Sequence, residues 1–162
     1  MDYMPINDGI DHINIYSKGK THLGRMLTNF ARTPFVLDGY GRFESVEGLW
    51  YYAKTGFQHE HLRELYGAKA KSEGKKCGKV EFDGFNELIS LGIKAKLRQH
   101  PDILVELIDS GEKPLTHYYY YGDESNPKVY RLGQYDWITD IFRDVSSVCI
   151  STGYRPKLKE KN

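Results

Sequence analysis

Apolar residues recur at helical spacing in several stretches of the chain. The clearest stretch has them at positions i, i+3, i+4 and i+7, namely Val46, Leu49, Trp50 and Ala53. This spacing predicts an α-helix with one buried face. Ser45 stands where an N-cap acceptor is needed and Gly56 supplies a stop, so we expect the helix to lie between them. Three more helices are predicted, at residues 85–99, from Pro101 up to Gly111, and at residues 132–145.

Alternating and β-favouring residues predict a few short strands. One is expected at residues 13–16, where isoleucines occupy alternate positions. Residues 34–37 and 42–44 flank the turn signal Asp38-Gly39 and predict a hairpin that leads into the first helix. Another strand is expected in LTHYYYYG, residues 115–122, because tyrosine favours strands. Together, these elements predict a helix-rich α+β fold with a few short strands.

Two basic segments are expected to be loops. The first, SKGKTHLGR at residues 17–25, lacks the preceding glycine that a phosphate-cradling P-loop requires. Its cations Lys18, Lys20 and Arg25 are either a phosphate-binding group or ordinary solvated charges. The second, SEGKKCGK at residues 72–79, interrupts a polar helical pattern with glycines and like charges.

Length and composition are those of one globular domain. The 162 residues are 40% hydrophobic and 14% aromatic, which is enough for one substantial core. We expect a single domain at residues 1–154, followed by a solvated tail at residues 155–162. The formal net charge of +1 provides no global field that would favour nonspecific binding to nucleic acid or to an anionic membrane.

The sequence predicts a cytoplasmic protein without a metal or an organic cofactor. Cys77 and Cys149 lack metal-ligand spacing, no N-terminal signal pattern is present, and no apolar run approaches the length of a membrane span. His59 and His61 are two residues apart, so a helix would point them to different faces and no metal site is expected there. The oligomeric state is left open.

The helix after Ser45 also carries candidate chemistry. Glu47, Tyr51 and Lys54 follow i, i+4 and i+7 spacing and share a stripe beside the apolar face. Glu47 and Lys54 are about 10 Å apart along the helix axis, which is too far for a salt bridge but leaves room for a small molecule. The alternative is purely electrostatic, since an acid in the first turn and a base in the last turn each face the opposite end of the helix dipole.

The tyrosine run predicts an aromatic surface. Strand alternation places Tyr118 and Tyr120 on one face and Tyr119 and Tyr121 on the other. One face is expected in the core, and the other would offer rings and hydroxyls to solvent or to a ligand. Ordinary packing of a tyrosine-rich strand is the alternative.

Four segments, in order along the chain, resemble the motifs of one family. TNFARTPF at residues 28–35 resembles the SNF-x-x-x-PF opening of the NADAR family, also called YbiA-like. FESVEGLWYYAK at residues 43–54 is similar to that family's Tyr-x-Ser-x-Glu-x-x-(aromatic)-x-x-x-Lys helix. Residues 94–115 resemble its basic helix with the following turn, and residues 130–145 resemble its closing helix. The resemblance covers roughly residues 13 to 146.

The resemblance implies an enzyme that cleaves N-glycosidic bonds. Members of the family act on a phosphoribosylated pyrimidine intermediate of riboflavin synthesis or remove ADP-ribose from guanine bases, so the implied substrate is a ribosylated nucleotide or ADP-ribosylated nucleic acid. Carried onto this sequence, it implies Glu47 and Lys54 as catalytic residues. With the candidates above, the expected substrate-binding residues are Arg25, Asn29, Phe30, Trp50, Lys69, Tyr119, Tyr121 and Arg131.

These groups suit the implied chemistry. Breaking a ribosyl C–N bond builds oxocarbenium-like positive charge, and a fixed carboxylate such as Glu47 stabilises that charge or activates a water. Alternatively, the ring-opened aldehyde of the ribose forms a Schiff base with Lys54, which requires an amine that is neutral part of the time. Lys69 is a second candidate for that amine.

The chain departs from the family pattern before the closing helix. The family has roughly D-x-x-W-G there, and this chain has THYYYYG. Tyr121-Gly122 takes the place of Trp-Gly, and either Glu47 or Asp123 must do the work of the missing acid. In the middle region, Phe82 or Phe85 replaces a family tryptophan.

This departure keeps other functions open. The main alternative is a binding module that recognises NAD-derived nucleotides or ADP-ribosylated targets without turnover. A more remote one is an interaction protein with a tyrosine contact surface. An enzyme requires Glu47 and Lys54 to converge with Asn29, whereas a binding module would leave one of them pointing to solvent.

Overall fold

The computed structural model describes residues 2–158, and within that part the α+β class is confirmed. The helices are α1 His22–Leu27, α2 Val46–Lys54, α3 Gly67–Lys76, α4 Phe85–Gln99, α5 Pro101–Asp109 and α6 Asp136–Thr152. The strands are β1 Ile13–Asn14, β2 Phe35–Leu37, β3 Gly41–Phe43, β4 Leu115–Thr116, β5 Tyr118–Tyr121 and β6 Lys128–Arg131. Short 3₁₀ helices lie at Pro5–Asn7, Glu60–Glu64 and Gly133–Tyr135.

The chain divides into two compact units. One contains residues 29–100, and the other contains the residues up to 28 and those from 101 onward. Of the expected tail, Arg155 pairs with Asp109 through contacts of 2.7 and 3.1 Å, and residues 159–162 lie outside the described part of the chain. None of the helices between residues 2 and 158 is long and apolar enough to cross a membrane.

Residues 29–100 begin with the predicted hairpin. β2 and β3 pair in antiparallel register, with Phe35 opposite Phe43 and Leu37 opposite Gly41. The turn between them uses Gly39 at a φ of 82°, a left-handed conformation that glycine adopts without steric cost. Both phenylalanines are buried and their rings stack at 5.9 Å, so the hairpin supplies the first wall of this unit's core.

α2 forms as the sequence predicts. The Ser45 hydroxyl accepts a hydrogen bond from the Gly48 amide at 2.9 Å, which satisfies one of the free donors of the first turn. The same hydroxyl donates to the Leu65 carbonyl at 2.8 Å. The four predicted core residues of this helix, Val46, Leu49, Trp50 and Ala53, are all buried. The predicted N-cap therefore both starts α2 and anchors it to the segment that precedes α3.

The expectation of a loop at residues 72–79 is wrong for its first half, because α3 continues to Lys76. Gly74 is buried in that helix, and a Cβ at this position would lie 2.2 Å from Cγ of Tyr51 on α2. The glycine therefore permits close approach of the two helices and does not break α3. Ala70, one turn earlier, is also buried on this face.

The second unit contains two strand pairs and three helices. β1 pairs in parallel with β4, and β5 pairs antiparallel with β6. A buried Asn14 side chain links β1 to β5, since its amide donates to the Tyr118 carbonyl at 2.9 Å and its oxygen accepts from the Tyr118 amide at 3.0 Å. The predicted alternation of the tyrosines is confirmed, with Tyr118 fully buried and Tyr121 60% exposed.

Two expectations about this unit are wrong. The predicted loop at residues 17–25 contains the start of α1, which Thr21 caps by accepting from the Gly24 amide at 2.9 Å and which buries Leu23 and Leu27. The final helix starts at Asp136 and not at Leu132, because residues 128–131 form β6 against β5. α1 is short and β6 is mostly polar and exposed, so neither has a strong apolar pattern.

We expect Gly74→Ala to destabilise the protein by about 1–3 kcal/mol, because the new methyl group would collide with the base of the Tyr51 ring and force α2 and α3 apart. Urea denaturation measures the loss. Gly78→Ala is the matched control, since a Cβ at Gly78 meets no atom within 4 Å. Equal stability of the two variants would show that α2 and α3 are not closely packed at Gly74.

Candidate active site on helix α2

Glu47 is a buried carboxylate in the first turn of α2. The residue is 8% exposed, and its backbone amide donates to the Asn29 carbonyl at 2.9 Å. Its carboxylate forms no hydrogen bond or salt bridge with the described residues. A buried acid without a partner is costly in its ionised form, because removal from water disfavours the charge. An acid kept under such strain is a candidate functional group.

Burial raises the pKa of the Glu47 carboxyl to about 7. The positive charges of Lys71, Lys54 and Lys75, in that order, act in the opposite direction and favour the carboxylate. Desolvation is the larger effect, so near neutral pH the group exists in both protonation states. A carboxyl group with a pKa near neutrality is able to serve as a general acid and as a general base.

Lys54 lies at the other end of the same helix, above two aromatic rings. Its Nζ is 5.4 Å from the ring centroid of Trp50 and 5.9 Å from that of Phe85. The two rings meet edge to face with their centroids 4.8 Å apart. Lys54 is half-buried and forms no salt bridge among residues 2–158, so its ammonium is held by cation–π attraction. Phe85, one of the two residues expected to replace a family tryptophan, thus contacts the candidate amine.

Two further lysines, which the sequence did not point to, act on the Glu47 carboxylate through their charges. Lys71 and Lys75 are four residues apart on α3, so they project from the same side of that helix. Their charges stabilise the Glu47 carboxylate, and that of Lys71 has the largest effect. Lys69, the residue expected from the sequence, is exposed on α3, and its charge acts on Glu73. The spacing of four residues between Lys71 and Lys75 was the available sequence signal for this pair. It places the two side chains together only if the segment is a helix, which was not expected as far as Lys75.

The segment of Asn29 and Phe30 joins the starts of α2 and α3. The Asn29 carbonyl accepts from the Glu47 amide, and the Phe30 carbonyl accepts from the Gly67 amide at 3.0 Å. Both residues are half-buried. Their backbone therefore fixes the first turn of α2, which carries Glu47, and the start of α3, while Trp50 lies buried one turn further along α2. Within residues 29–100, the structure thus places Glu47, Trp50 and Lys54 on one helix and the Asn29 backbone at its start.

The other predicted substrate-binding residues lie in the second unit. Arg25 donates to the carbonyls of Gly19 and Lys20 at 2.8 and 3.0 Å, which closes the loop before α1. Arg131 donates to the Tyr3 carbonyl at 2.6 Å, and its guanidinium lies 5.6 Å from the centroid of the Tyr118 ring.

Tyr119 and Tyr121 belong to an aromatic cluster on the β5–β6 pair. Tyr119 stacks on Tyr130 of β6 with centroids 5.1 Å apart and an interplanar angle of 14°. Tyr121 meets both of these rings at steep angles, with centroids 5.7 Å away. The outer tyrosine face therefore presents packed rings to solvent. β6 supplies Tyr130, which the sequence reasoning did not include.

His59 and His61 lie with their ring centroids 6.1 Å apart. Residues 2–158 contain no cluster of three or more histidine, cysteine, aspartate or glutamate side chains that would hold a metal ion.

Fold and site together define an α+β protein with a buried acid and several lysines on one helix pair. The fold is that of the E. coli protein YbiA, whose NMR structure superposes with a TM-score of 0.65 over 91% of this chain and 94% of that chain, at 18% sequence identity. No protein-family model and no curated protein matches the sequence. At this identity the similarity establishes the fold, and the activity has to be argued from the side chains.

Burial of Glu47 makes a testable contribution to stability. Its pKa is raised from the usual value near 4.5 to about 7, so the folded protein holds this proton more tightly and stability falls as the pH rises through that window. Glu47→Gln removes the titration. We expect the variant to be more stable than the parent by about 3 kcal/mol above pH 8, and equally stable near pH 4.

Urea denaturation at the two pH values measures this difference. Glu64→Gln is the control, because Glu64 is exposed and its replacement should change little at either pH. A Glu47→Gln variant that gains no stability at pH 8 would contradict the burial of a charged carboxylate at this position.

Proposed function

We propose that this protein is a NADAR-like N-glycosidase that cleaves the bond between a ribose and a nucleobase. The observation that carries the proposal is the buried Glu47 carboxyl, whose pKa is about 7 and which faces the charges of three lysines. The four sequence motifs that resemble the NADAR family and the YbiA fold support the same assignment. Candidate substrates are ADP-ribosylated guanine in nucleic acid and the phosphoribosyl pyrimidine intermediate of riboflavin synthesis.

In the hydrolytic route, Glu47 has two tasks. As a carboxylate it stabilises the positive charge that develops at the anomeric carbon as the C–N bond breaks. It then takes a proton from the water whose oxygen bonds to that carbon, and this proton is passed on to the nitrogen of the departing base. A pKa of about 7 allows one group to do both at neutral pH.

The lysines supply complementary functions. Lys71 and Lys75 are exposed on α3 and suit the phosphate groups of a nucleotide, because a lysine ammonium binds phosphate as a point charge. Lys54 lies over Trp50 and Phe85, where the surrounding rings reduce its contact with water. It is the amine we assign to a Schiff base with the ring-opened ribose, should the covalent route operate.

The alternative of a binding module without turnover is less well supported. Such a module would leave Glu47 or Lys54 pointing to solvent. Glu47 is buried and Lys54 is half-buried against two rings. Both groups are therefore held in place, as a reacting centre requires. We also propose a cytoplasmic location, which fits the free thiols of Cys77 and Cys149.

The proposal is tested by incubating the protein with an ADP-ribosylated guanine oligonucleotide and, separately, with the phosphoribosyl pyrimidine. Chromatography measures the released base. We expect turnover of at least one substrate, and a loss of about 10²- to 10⁴-fold in Glu47→Gln because the acid–base group is removed. Glu64→Gln should retain full activity. Binding of both substrates without base release would favour the binding module.

Borohydride reduction separates the two chemical routes. A Schiff base would be trapped as a covalent adduct that Lys54→Ala cannot form, whereas direct hydrolysis gives no adduct in either protein. An adduct that persists in Lys54→Ala would move the amine to another lysine, with Lys71 and Lys69 as the next variants to make. Undiminished turnover in Glu47→Gln would rule out the role proposed for the carboxyl.

A further inference from the structure

The second unit contains a cavity that the proposed glycosidase chemistry does not use. It has a volume of about 360 Å³ and lies between the end of α5, the turn into β4 and the middle of α6. This volume is within the range of small-molecule sites, roughly 300–1,000 Å³. The apolar part of its wall is formed by Leu107, Leu115 and Ile150. Serine hydroxyls and charged side chains form the rest.

Ser146 on α6 is the most unusual residue of this cavity. It is 6% exposed, and its Oγ is buried with no hydrogen-bond partner. Among residues 2–158 it is the only side-chain oxygen or nitrogen atom fully enclosed from solvent that lacks a hydrogen-bond partner. An unsatisfied buried hydroxyl is destabilising, so a ligand that supplied the missing hydrogen bond at this cavity wall would gain binding free energy from it.

Arg143 lies one turn before Ser146 on the same side of α6. Its guanidinium side chain is 54% exposed and only loosely engaged, with one contact of 3.4 Å to the Leu115 carbonyl and one of 3.6 Å to Asp140. Most of its five donors therefore remain available to a ligand. Ser147 adds an exposed hydroxyl next to them.

The charge of the cavity lining favours an anion. Arg143 and Lys113 contribute two positive charges, and Glu112 contributes one negative charge. Lys113 lines the cavity, and its ammonium donates to the carbonyl of Gly9, a residue outside the lining, at 3.1 Å. Arginine binds carboxylate and phosphate groups with paired hydrogen bonds, which a neutral ligand would not use.

We propose that this cavity binds a small organic anion, a carboxylate or a phosphate monoester with an apolar body. The anionic group accepts hydrogen bonds from the Arg143 guanidinium and the Ser146 hydroxyl. The apolar body packs on Leu107, Leu115 and Ile150. The site is independent of Glu47 and its activity.

The test is a titration of the full-length protein with benzoate, with phenyl phosphate and with inorganic phosphate, followed by NMR of the backbone amides. We expect saturable shifts at residues 110–113, at Leu115 and at residues 143–147 with at least one of the two aromatic anions, and weaker binding of inorganic phosphate, which has no apolar body. Benzoate and phenyl phosphate distinguish a carboxylate site from a phosphate site. The absence of saturable shifts with both would overturn the proposal.

Two variants test the assigned contacts. Arg143→Gln should weaken binding at least tenfold, while Arg98→Gln, an exposed arginine on α4, should leave it unchanged. Ser146→Ala should raise the melting temperature of the free protein more than Ser90→Ala, a serine-to-alanine change within α4, and should weaken binding of the same anion. Binding that is unaffected in both Arg143→Gln and Ser146→Ala would refute the site.

Discussion

Close packing of α2 against its neighbours is the constraint on which the candidate site depends. Two glycines make it possible. A Cβ at Gly74 of α3 would lie 2.2 Å from the Tyr51 ring, and a Cβ at Gly92 of α4 would lie 2.4 Å from Cδ2 of Leu49. Because these positions carry no side chain, α3 approaches α2 closely at Tyr51 and α4 approaches it closely at Leu49. Glu47, in the first turn of the same helix, is 8% exposed.

Burial of Glu47 lowers the stability of the folded protein at neutral pH and, at the same time, brings the pKa of the carboxyl close to neutrality. Desolvation makes the ionised Glu47 unfavourable and raises its pKa to about 7, while Lys71, Lys54 and Lys75 keep the carboxylate accessible at neutral pH. An acid placed in this way costs the fold free energy that a neutral residue would not cost, a trade-off typical of functional sites. A costly burial of this kind is what the proposed acid–base role of Glu47 requires.

Much of the fold was predictable because it depends on apolar spacing and end signals. α2, α4 and α5 were expected from such patterns, and the Ser45 cap was expected from its side chain alone. For α3, a polar helical pattern was seen before residue 72 but its continuation to Lys76 was not expected, since Gly74 does the packing there and its small size leaves no hydrophobic pattern. β6 was missed for a related reason: its residues are largely exposed and are fixed by antiparallel pairing with the tyrosines of the preceding strand β5.

The site was predictable to a similar degree. Glu47 and Lys54 followed from the motif of one helix, which is local in sequence. Lys71 and Lys75 depend on the register of α3 against α2, and no local pattern encodes that contact. The most direct test of the account is a ¹³C NMR titration of glutamate side-chain carboxyls, with the Glu47 signal assigned by its loss in Glu47→Gln. A midpoint near 7 is expected. A midpoint near the usual glutamate value of 4.5 would contradict the buried, proton-exchanging carboxyl at the centre of the proposed function.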